Sequence, residues 1–159
     1  METVQINVFT FDELTDKAKE KARDWMRQDY DPAWNDEPLK SITAFCDHFR
    51  IPLKGYSVGA YAPIDYRAEY FNSHFRGRKL RDFDRDYMPT GYCLDCDLWV
   101  TFYDTFKASG DAKRAFDDAL EAGFKAWRAD LEWQLSDEYV DEILLDNGYR
   151  FTANGKFWG

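Results

Sequence analysis

Two cysteines three residues apart, Cys93 and Cys96, are the side chains whose type and spacing come nearest to a reactive site. A C-x-x-C pair can bind a metal ion or exchange disulfides, and its redox form normally opens a helix, where the helix dipole lowers the thiol pKa. Here residues 93–103 alternate between apolar and polar side chains, which predicts a strand. Positions 93 and 96 of a regular strand point to opposite faces, so the pattern argues against a joint site.

A zinc site at this pair is also disfavoured, because structural zinc needs four ligands. Only Cys46 and His48 remain as candidates of the right kind, and two residues apart on a predicted helix they point in different directions. We therefore interpret the three cysteines as small buried apolar residues, and we expect no metal and no cofactor.

A second candidate is the aspartate series Asp82, Asp84 and Asp86, which imitates the start of a calcium-binding loop. The glycine that such a loop requires is missing, since Tyr87 follows directly, and its twelfth position is Cys93 rather than a glutamate. These aspartates are interpreted as solvated loop charges.

Catalytic residues are not indicated by any motif. His48 and His74 lie outside the known hydrolase and metalloprotease contexts, and among thirty Asp and Glu residues no pair stands out as a general acid and base. We expect a protein that is not an enzyme.

The sequence has one basic cluster, at positions 76–85, which consists of Arg76, Arg78, Lys79, Arg81 and Arg85. They could bind phosphate or an acidic partner, but aspartates lie among them. The favoured interpretation is that they pair with acidic helices of the same chain.

The strongest charge pattern lies at residues 130–146, which contain seven carboxylates and no Lys or Arg, with apolar side chains at helical spacing. Such a helix can bury one face and present negative charge on the other, which attracts basic proteins in a salt-sensitive way. The alternative is an ordinary solvated face. The predicted partner-binding residues are Asp130, Glu132, Asp137, Glu138, Asp141 and Glu142, with Trp133 and Tyr139 as aromatic anchors.

Hydrophobic periodicity predicts the elements that position these residues. Strands are predicted over 3–9, 53–61, 62–72 and 93–103. Helices are predicted from Thr10 or Thr15 to about Gln28, from Pro38 to Pro52, from Asp111 onward through Leu135, and from Ser136 to Asp146. Residues 73–90 are predicted as a loop or short helix, and Asn154–Gly155 predicts a terminal hairpin. Because strands mostly follow strands, we expect an α+β fold, an antiparallel sheet with about four helices packed on it, in one domain over 1–159.

The composition limits the possible partners. The 159 residues carry a formal net charge of -9, which disfavours direct binding to a nucleic acid, itself negative. Three cysteines do not form a disulfide framework, and neither a long apolar run nor a signal peptide is evident. We expect a cytoplasmic protein that does not bind membranes.

Four blocks of the sequence together resemble small proteins of tailed bacteriophages: VFTFDELTDKAKEKARDWMR, GYSVGAY, TGYCLDCDL and QLSDEYVDEILLDNGYRFTANGKF. Many proteins of this group are labelled "antitoxin of toxin–antitoxin stability system". The blocks follow one another in the same order over nearly the whole chain. Where relatives often have a Ser-Gln-Gly-Asp-Gly-like turn, this chain has GAYAPIDYRAEY, so the role of that turn does not carry over. The resemblance implies a phage-encoded accessory protein acting in a bacterial cytoplasm.

These observations predict an acidic, antitoxin-like inhibitor that occludes the basic, nucleic-acid-binding surface of a host protein. The partner would be a toxin, a CRISPR effector or a restriction complex, so that the protein would act as an anti-CRISPR or anti-restriction protein. One alternative is a small enzyme that acts on a nucleotide or a protein through the polar region 62–90, with phosphate held by Arg76, Arg78 and Arg81. The other is a structural protein that self-associates through its many aromatic side chains.

Overall fold

The computed structural model describes residues 1–159 and contains five α-helices and a two-stranded antiparallel sheet, which confirms the α+β class. The helices are α1 (Asp16–Gln28), α2 (Asp36–His48), α3 (Leu94–Ser109), α4 (Ala112–Gln134) and α5 (Asp137–Asp146). The strands are β1 (Leu53–Ser57) and β2 (Asp65–Ala68), which are shorter than predicted. The chain divides into two compact units, a first unit of Met1–Ala33 with Trp133–Gly159 and a second unit of Trp34–Glu132.

The first unit packs α1 and α5 around a small apolar core. Thr15 caps α1 by accepting a hydrogen bond from the Ala18 N–H, and Ser136 caps α5 in the same way through the Tyr139 N–H. Both helices therefore begin where the sequence predicts. Their buried faces meet the aromatic rings of the chain termini in a core made of Phe11, Leu14, Ala18, Ala22, Val140, Leu144 and Phe151.

The chain termini meet around Phe151. The predicted turn at Asn154–Gly155 is confirmed, with Phe151 and Phe157 paired across it. The predicted strand over 3–9 is wrong except at Phe9, which pairs with Phe151 at N···O distances of 2.8 and 2.9 Å. Its alternating pattern finds no neighbouring strand before Phe9, and the apolar side chains of that segment stay exposed: Val4, Ile6 and Val8.

The second unit is built on aromatic packing between α2, α3 and α4. Phe49 lies at its centre, with ring centroids 5.0 to 6.0 Å from those of its neighbours Phe45, Phe75, Phe83, Trp99, Phe102 and Phe116. Helix α4 contributes the predicted stripe at steps of three and four, and five members of it are buried: Phe116, Leu120, Phe124, Trp127 and Leu131.

The prediction of a strand over 93–103 is wrong, because these residues form the beginning and middle of α3. Leu94, Leu98 and Phe102 are four residues apart, a spacing that suits both a strand and a helix, and all three are buried. Two residues whose burial should differ between a strand and a helix show the burial expected of a helix. Trp99, which a strand would point away from the core, is buried, and Cys96, which a strand would point inward, is exposed.

The first turn of α3 is fixed by a buried carboxylate. Oδ2 of Asp95 accepts hydrogen bonds from the Thr90 N–H and the Thr90 hydroxyl, both at 2.9 Å, and from the Gly91 N–H at 3.0 Å. A carboxylate at position 95 therefore orders the approach to the helix, an arrangement that a strand would not provide. None of the five helices combines the length and the apolar character needed to cross a membrane.

Candidate functional site

Helix α5 has three sides: one is buried in the core, one faces α1 and one is exposed to solvent. Val140 and Leu144 enter the core of the first unit. Asp137 and Asp141, one turn apart, lie on the side of α1. Glu138, Glu142 and Asp146 lie on a third, exposed side, and we refer to these three residues as the acidic strip.

The two aspartates are already neutralised within the first unit. Arg23 donates to both oxygens of Asp141, from Nε at 2.6 Å and from Nη2 at 2.8 Å. Arg27 donates from Nη2 to Asp137 at 2.5 Å and from Nε to the Leu135 carbonyl at 2.9 Å. Because these bonds join α5 to α1, Asp137 and Asp141 hold the helix in place, and their negative charge is compensated. The prediction that all the α5 carboxylates form one free array therefore needs correction at these two positions.

The acidic strip remains available. No Lys or Arg nitrogen lies within 4.0 Å of Glu138, Glu142 or Asp146, and all three are exposed. Leu145 lies beside them and is also exposed. The strip therefore combines unpaired negative charge with one apolar side chain.

The two predicted anchors lie together at the start of α5. The ring centroids of Trp133 and Tyr139 are 6.0 Å apart, and Trp133 keeps 43% of its surface exposed. Ser136 caps the helix between them and also donates to the Trp133 carbonyl at 2.6 Å. An aromatic pair with one exposed ring can supply apolar contact area to a partner.

The remaining predicted residues, Asp130 and Glu132, lie on the part of α4 that belongs to the second unit. Glu132 is exposed and Asp130 is half-buried. Within that unit, burial and then the nearby Asp130 charge raise the pKa of Tyr92 to about 12.

A pocket of about 280 Å³ in the first unit was not predicted from the sequence. Its apolar wall includes Met26, Val140 and Ile143, and the ring of Tyr139 also lines it. The carboxylates of Asp29 and Asp31 stand at its exposed edge, and neither has a Lys or Arg nitrogen within 4.0 Å. The pocket thus offers an apolar interior next to unpaired negative charge.

One buried amide fixes the loop that forms this pocket. Gln134 is 5% exposed; its Oε1 accepts from the Ala33 N–H at 2.8 Å and from the Tyr30 hydroxyl at 3.1 Å. Its Nε2 donates to the Ala33 carbonyl at 3.1 Å. Gln134 lies three residues after Leu131 and therefore on the apolar side of α4. A polar residue at such a position needs buried hydrogen-bond partners, and this is the feature of the sequence that could have indicated the ordered loop and its pocket.

Negative charge is concentrated in the first unit. Its 60 residues hold thirteen of the thirty carboxylates and seven of the twenty-one Lys and Arg residues, so it carries -6 of the formal net charge of -9. The first unit therefore attracts basic partners more strongly for its size than the second.

The Arg27–Asp137 bond leads to a testable pH dependence. The hydrogen bond from Arg27 lowers the pKa of Asp137, and the charge of Arg23 acts in the same direction. Because this pKa is lowered by folding, the bond stabilises the protein at pH values above the unfolded aspartate pKa of about 3.9. That stabilisation is lost as the pH falls through the lower pKa of the folded state. We expect a carboxyl-carbon NMR titration to give an Asp137 midpoint below the ordinary aspartate pKa, because the arginine partner favours the charged carboxylate.

The matched control for this titration is Arg27→Gln, which keeps a polar side chain and removes the charge. The Asp137 midpoint should rise toward the ordinary value in that variant. A midpoint that is the same in both proteins would show that the bond does not persist in solution.

The basic cluster is only partly paired. Arg85 donates to Asp104 of α3 from Nε and Nη2, at 2.9 and 3.1 Å, as the favoured interpretation predicts. Arg78 donates instead to the His74 carbonyl at 3.0 Å and lies over the Phe49 ring. The other three members are exposed, with no carboxylate within 4.0 Å: Arg76, Lys79 and Arg81. For these three, the prediction of intramolecular pairing is wrong.

A second pocket, of about 380 Å³, lies beside this cluster within the second unit. Three cationic side chains, Arg76, Arg78 and Lys113, line it. Asp111 also lines it, but its carboxylate already accepts the Arg114 N–H at 3.1 Å. The pocket has the charge that a phosphate group would require.

The aspartates of the supposed calcium loop have structural roles. Asp82 accepts the Lys79 N–H and Asp84 accepts the Asp86 N–H, each at 2.9 Å, so both stabilise local turns. No group of three or more His, Cys, Asp and Glu side chains is arranged to hold a metal ion.

Two of the three cysteines, Cys93 and Cys96, differ from the prediction in secondary structure and in exposure. Cys46 is buried as predicted, and burial raises the pKa of its thiol to about 12. Cys93 and Cys96 are exposed, which contradicts their interpretation as buried apolar residues. Since α3 begins at Leu94, the two thiols open a helix and do not lie on opposite faces of a strand.

Comparisons with known proteins give no family assignment. No family model matches the chain, and no curated protein or solved structure is significantly similar to it.

Proposed function

We propose that this chain is a phage-encoded inhibitor that binds a basic host protein through the acidic first unit and occludes its nucleic-acid-binding surface. The observation that carries the proposal is the unpaired charge of the acidic strip on the helix whose start holds the aromatic pair of exposed Trp133 and half-buried Tyr139. The partner is a toxin, a CRISPR effector or a restriction complex, in keeping with the resemblance to tailed-phage accessory proteins. The protein acts in the bacterial cytoplasm, without a cofactor and without binding nucleic acid itself.

The geometry of α5 supports electrostatic occlusion. Glu138, Glu142 and Asp146 recur every four residues, so their carboxylates are spaced about 6 Å apart along the helix. A row of carboxylates at this spacing can pair with Arg and Lys side chains that otherwise hold phosphates. Asp137 and Asp141 position the helix through their bonds to Arg27 and Arg23 of α1.

The pocket of the first unit adds an anchoring site to this surface. Its apolar wall can cover the methylene stem of a partner's Arg or Lys, while Asp29 and Asp31 lie at its edge to meet the charged end. The charge of Arg27, which also lines the pocket, is already compensated by Asp137. A basic side chain of the partner is therefore the occupant that the pocket's charge favours.

The proposal is tested by capture from bacterial lysate at low and high salt, with the full chain as bait. We expect a basic nucleic-acid-binding protein to be retained, and the retention to fall with salt. Glu138→Lys with Glu142→Lys should weaken capture at least about tenfold, since attraction becomes repulsion at two positions. Binding of nucleic acid by the captured protein should fall when the wild-type chain is added.

The matched control is Asp47→Lys with Asp65→Lys, which changes the net charge equally at two exposed residues of the second unit. This variant should capture the partner as the wild type does. Equal capture by all three proteins would refute the electrostatic surface.

A second candidate function rests on the pocket lined by Arg76, Arg78 and Lys113. Here the chain would be a small enzyme that acts on a nucleotide or a protein through the 62–90 region, with two of the predicted arginines holding phosphate. A thermal-shift screen with nucleotides and divalent metal ions separates the two candidates. A rise in melting temperature that disappears in Arg76→Ala with Lys113→Ala favours the enzyme; no response in the wild type favours the inhibitor.

A further inference from the structure

The C-x-x-C pair is the one motif of the sequence that the proposed function does not use. Cys93 occupies the position just before α3, and Cys96 is the third residue of the helix. The Cys96 N–H donates to the Cys93 carbonyl at 3.1 Å, so the two residues belong to a single tight turn. Both side chains are exposed and free. Because residues 93–96 form a helical turn and not a strand, the two cysteines do not point to opposite faces.

The turn brings the two cysteines close to the range of a disulfide. The Cβ atoms of residues three apart in a helical turn lie about 5–6 Å from each other, and those of bonded cysteines lie about 4 Å apart. The two Cβ atoms must therefore approach by about 1–2 Å. This approach requires an adjustment within the first turn of α3, where Leu94 and Asp95 are buried and the two cysteines are exposed.

Both sulfurs can be reached by an external reagent, since Cys93 and Cys96 are exposed at the start of α3. The Cys96 thiol lies 3.4 Å from the Met88 sulfur. The nearby Asp95 is buried, and its Oδ2 accepts hydrogen bonds from Thr90 and Gly91.

We propose that Cys93 and Cys96 form a redox-active dithiol that exchanges with low-molecular-weight disulfides of the glutathione type. In the first step, one thiolate attacks a sulfur of the external disulfide; that S–S bond breaks and one external thiol leaves with a proton. In the second step, the other cysteine attacks the mixed disulfide and releases the second external thiol. The protein loses two protons and two electrons and gains one S–S bond, and the external disulfide takes them up and is reduced to two thiols.

Cys46 provides an internal control for this chemistry. It is 0% exposed in the core of the second unit, so an external disulfide cannot reach it while the protein is folded. Exchange at the dithiol should therefore leave one thiol per chain, detectable by alkylation after unfolding.

The test is intact-mass analysis of the reduced full chain after incubation with oxidised glutathione. We expect the wild type to lose two hydrogens, about 2 Da, without retaining glutathione, and to recover its mass with a dithiol reductant. Peptide mapping should place the bond between residues 93 and 96. Cys93→Ser and Cys96→Ser should each retain one glutathione instead, because the resolving thiol is missing. Cys46→Ala should behave as the wild type.

Two results would overturn the proposal. One is wild-type protein that carries glutathione on both cysteines without an internal bond, which would show that the two sulfurs cannot reach each other. The other is wild-type protein that remains fully reduced under conditions where either single variant forms the mixed disulfide. Neither result bears on the acidic surface, so this proposal and the proposed inhibitor function fail independently.

Discussion

Phe49→Ala is expected to lower the free energy of unfolding by about 3–5 kcal/mol, the usual range for removing a buried phenylalanine. Phe49 is 1% exposed, and six aromatic rings surround it with centroids 5.0 to 6.0 Å away. Those rings belong to α2, α3, α4 and the segment between β2 and α3, so they cannot all move inward to fill the cavity. The variant also removes the ring beneath the Arg78 guanidinium, whose carbon lies 5.0 Å from the Phe49 centroid.

Urea unfolding followed by circular dichroism measures this loss. Phe71→Ala is the matched control, because it removes the same side chain from a position 74% exposed in the same unit. The control should change the free energy of unfolding by no more than about 0.5 kcal/mol. Similar losses in the two variants would contradict the central packing role of Phe49.

The sequence predicted most reliably those elements whose periodicity had only one interpretation. Helix α4 repeats apolar residues at steps of three and four over 23 residues, which no strand can match, and its predicted stripe is buried. Helices α1 and α5 begin at their predicted caps, Thr15 and Ser136, because a side-chain oxygen there satisfies a free N–H group.

The apolar residues of the α3 segment are spaced in a way that suits either a strand or a helix. Leu94, Leu98 and Phe102 fit both periods, and the helix is favoured by tertiary packing of Trp99 against Phe45 of α2 and Phe49 just after it. The difference affects function, since a strand places Cys93 and Cys96 on opposite faces and the helix places them in one turn. A wrong secondary structure therefore obscured a candidate site whose residue types were visible in the sequence.

The acidic surface shows a different limit. The sequence identified the carboxylates of α5, but whether each one is free depends on partners far away in the chain. Arg23 and Asp141 are 118 positions apart, and Arg27 and Asp137 are 110 apart. Local spacing cannot reveal such pairs. The structure divides the predicted array into two carboxylates that hold α5 against α1 and a strip that faces solvent, so charge reversal is best directed at Glu138 and Glu142.

Gly155→Ala is expected to lower the free energy of unfolding by about 2–5 kcal/mol, through strain and collision together. Gly155 has a φ of +85°, in the left-handed region that side chains disfavour. A Cβ there would also meet the carbonyl oxygen of Ala18 and stand 2.9 Å from its carbonyl carbon. Those atoms belong to the backbone of α1, which cannot rotate away as a side chain would. The terminal hairpin therefore approaches α1 closely enough that only glycine fits at position 155.

Gly148→Ala separates the two contributions, because Gly148 has a φ of +63° and a Cβ there meets no atom within 4 Å. Gly148→Ala introduces the backbone strain without a collision, so it should lower the free energy of unfolding, measured with urea, by about 1–2 kcal/mol. The excess loss in Gly155→Ala measures the collision with α1. Because α1 supplies Arg23 and Arg27 to α5, that excess should be accompanied by a rise in the Asp137 pKa toward its ordinary value as the α1–α5 bonds loosen. Equal losses in the two variants, with an unchanged Asp137 titration, would mean that the hairpin does not approach α1 this closely in solution.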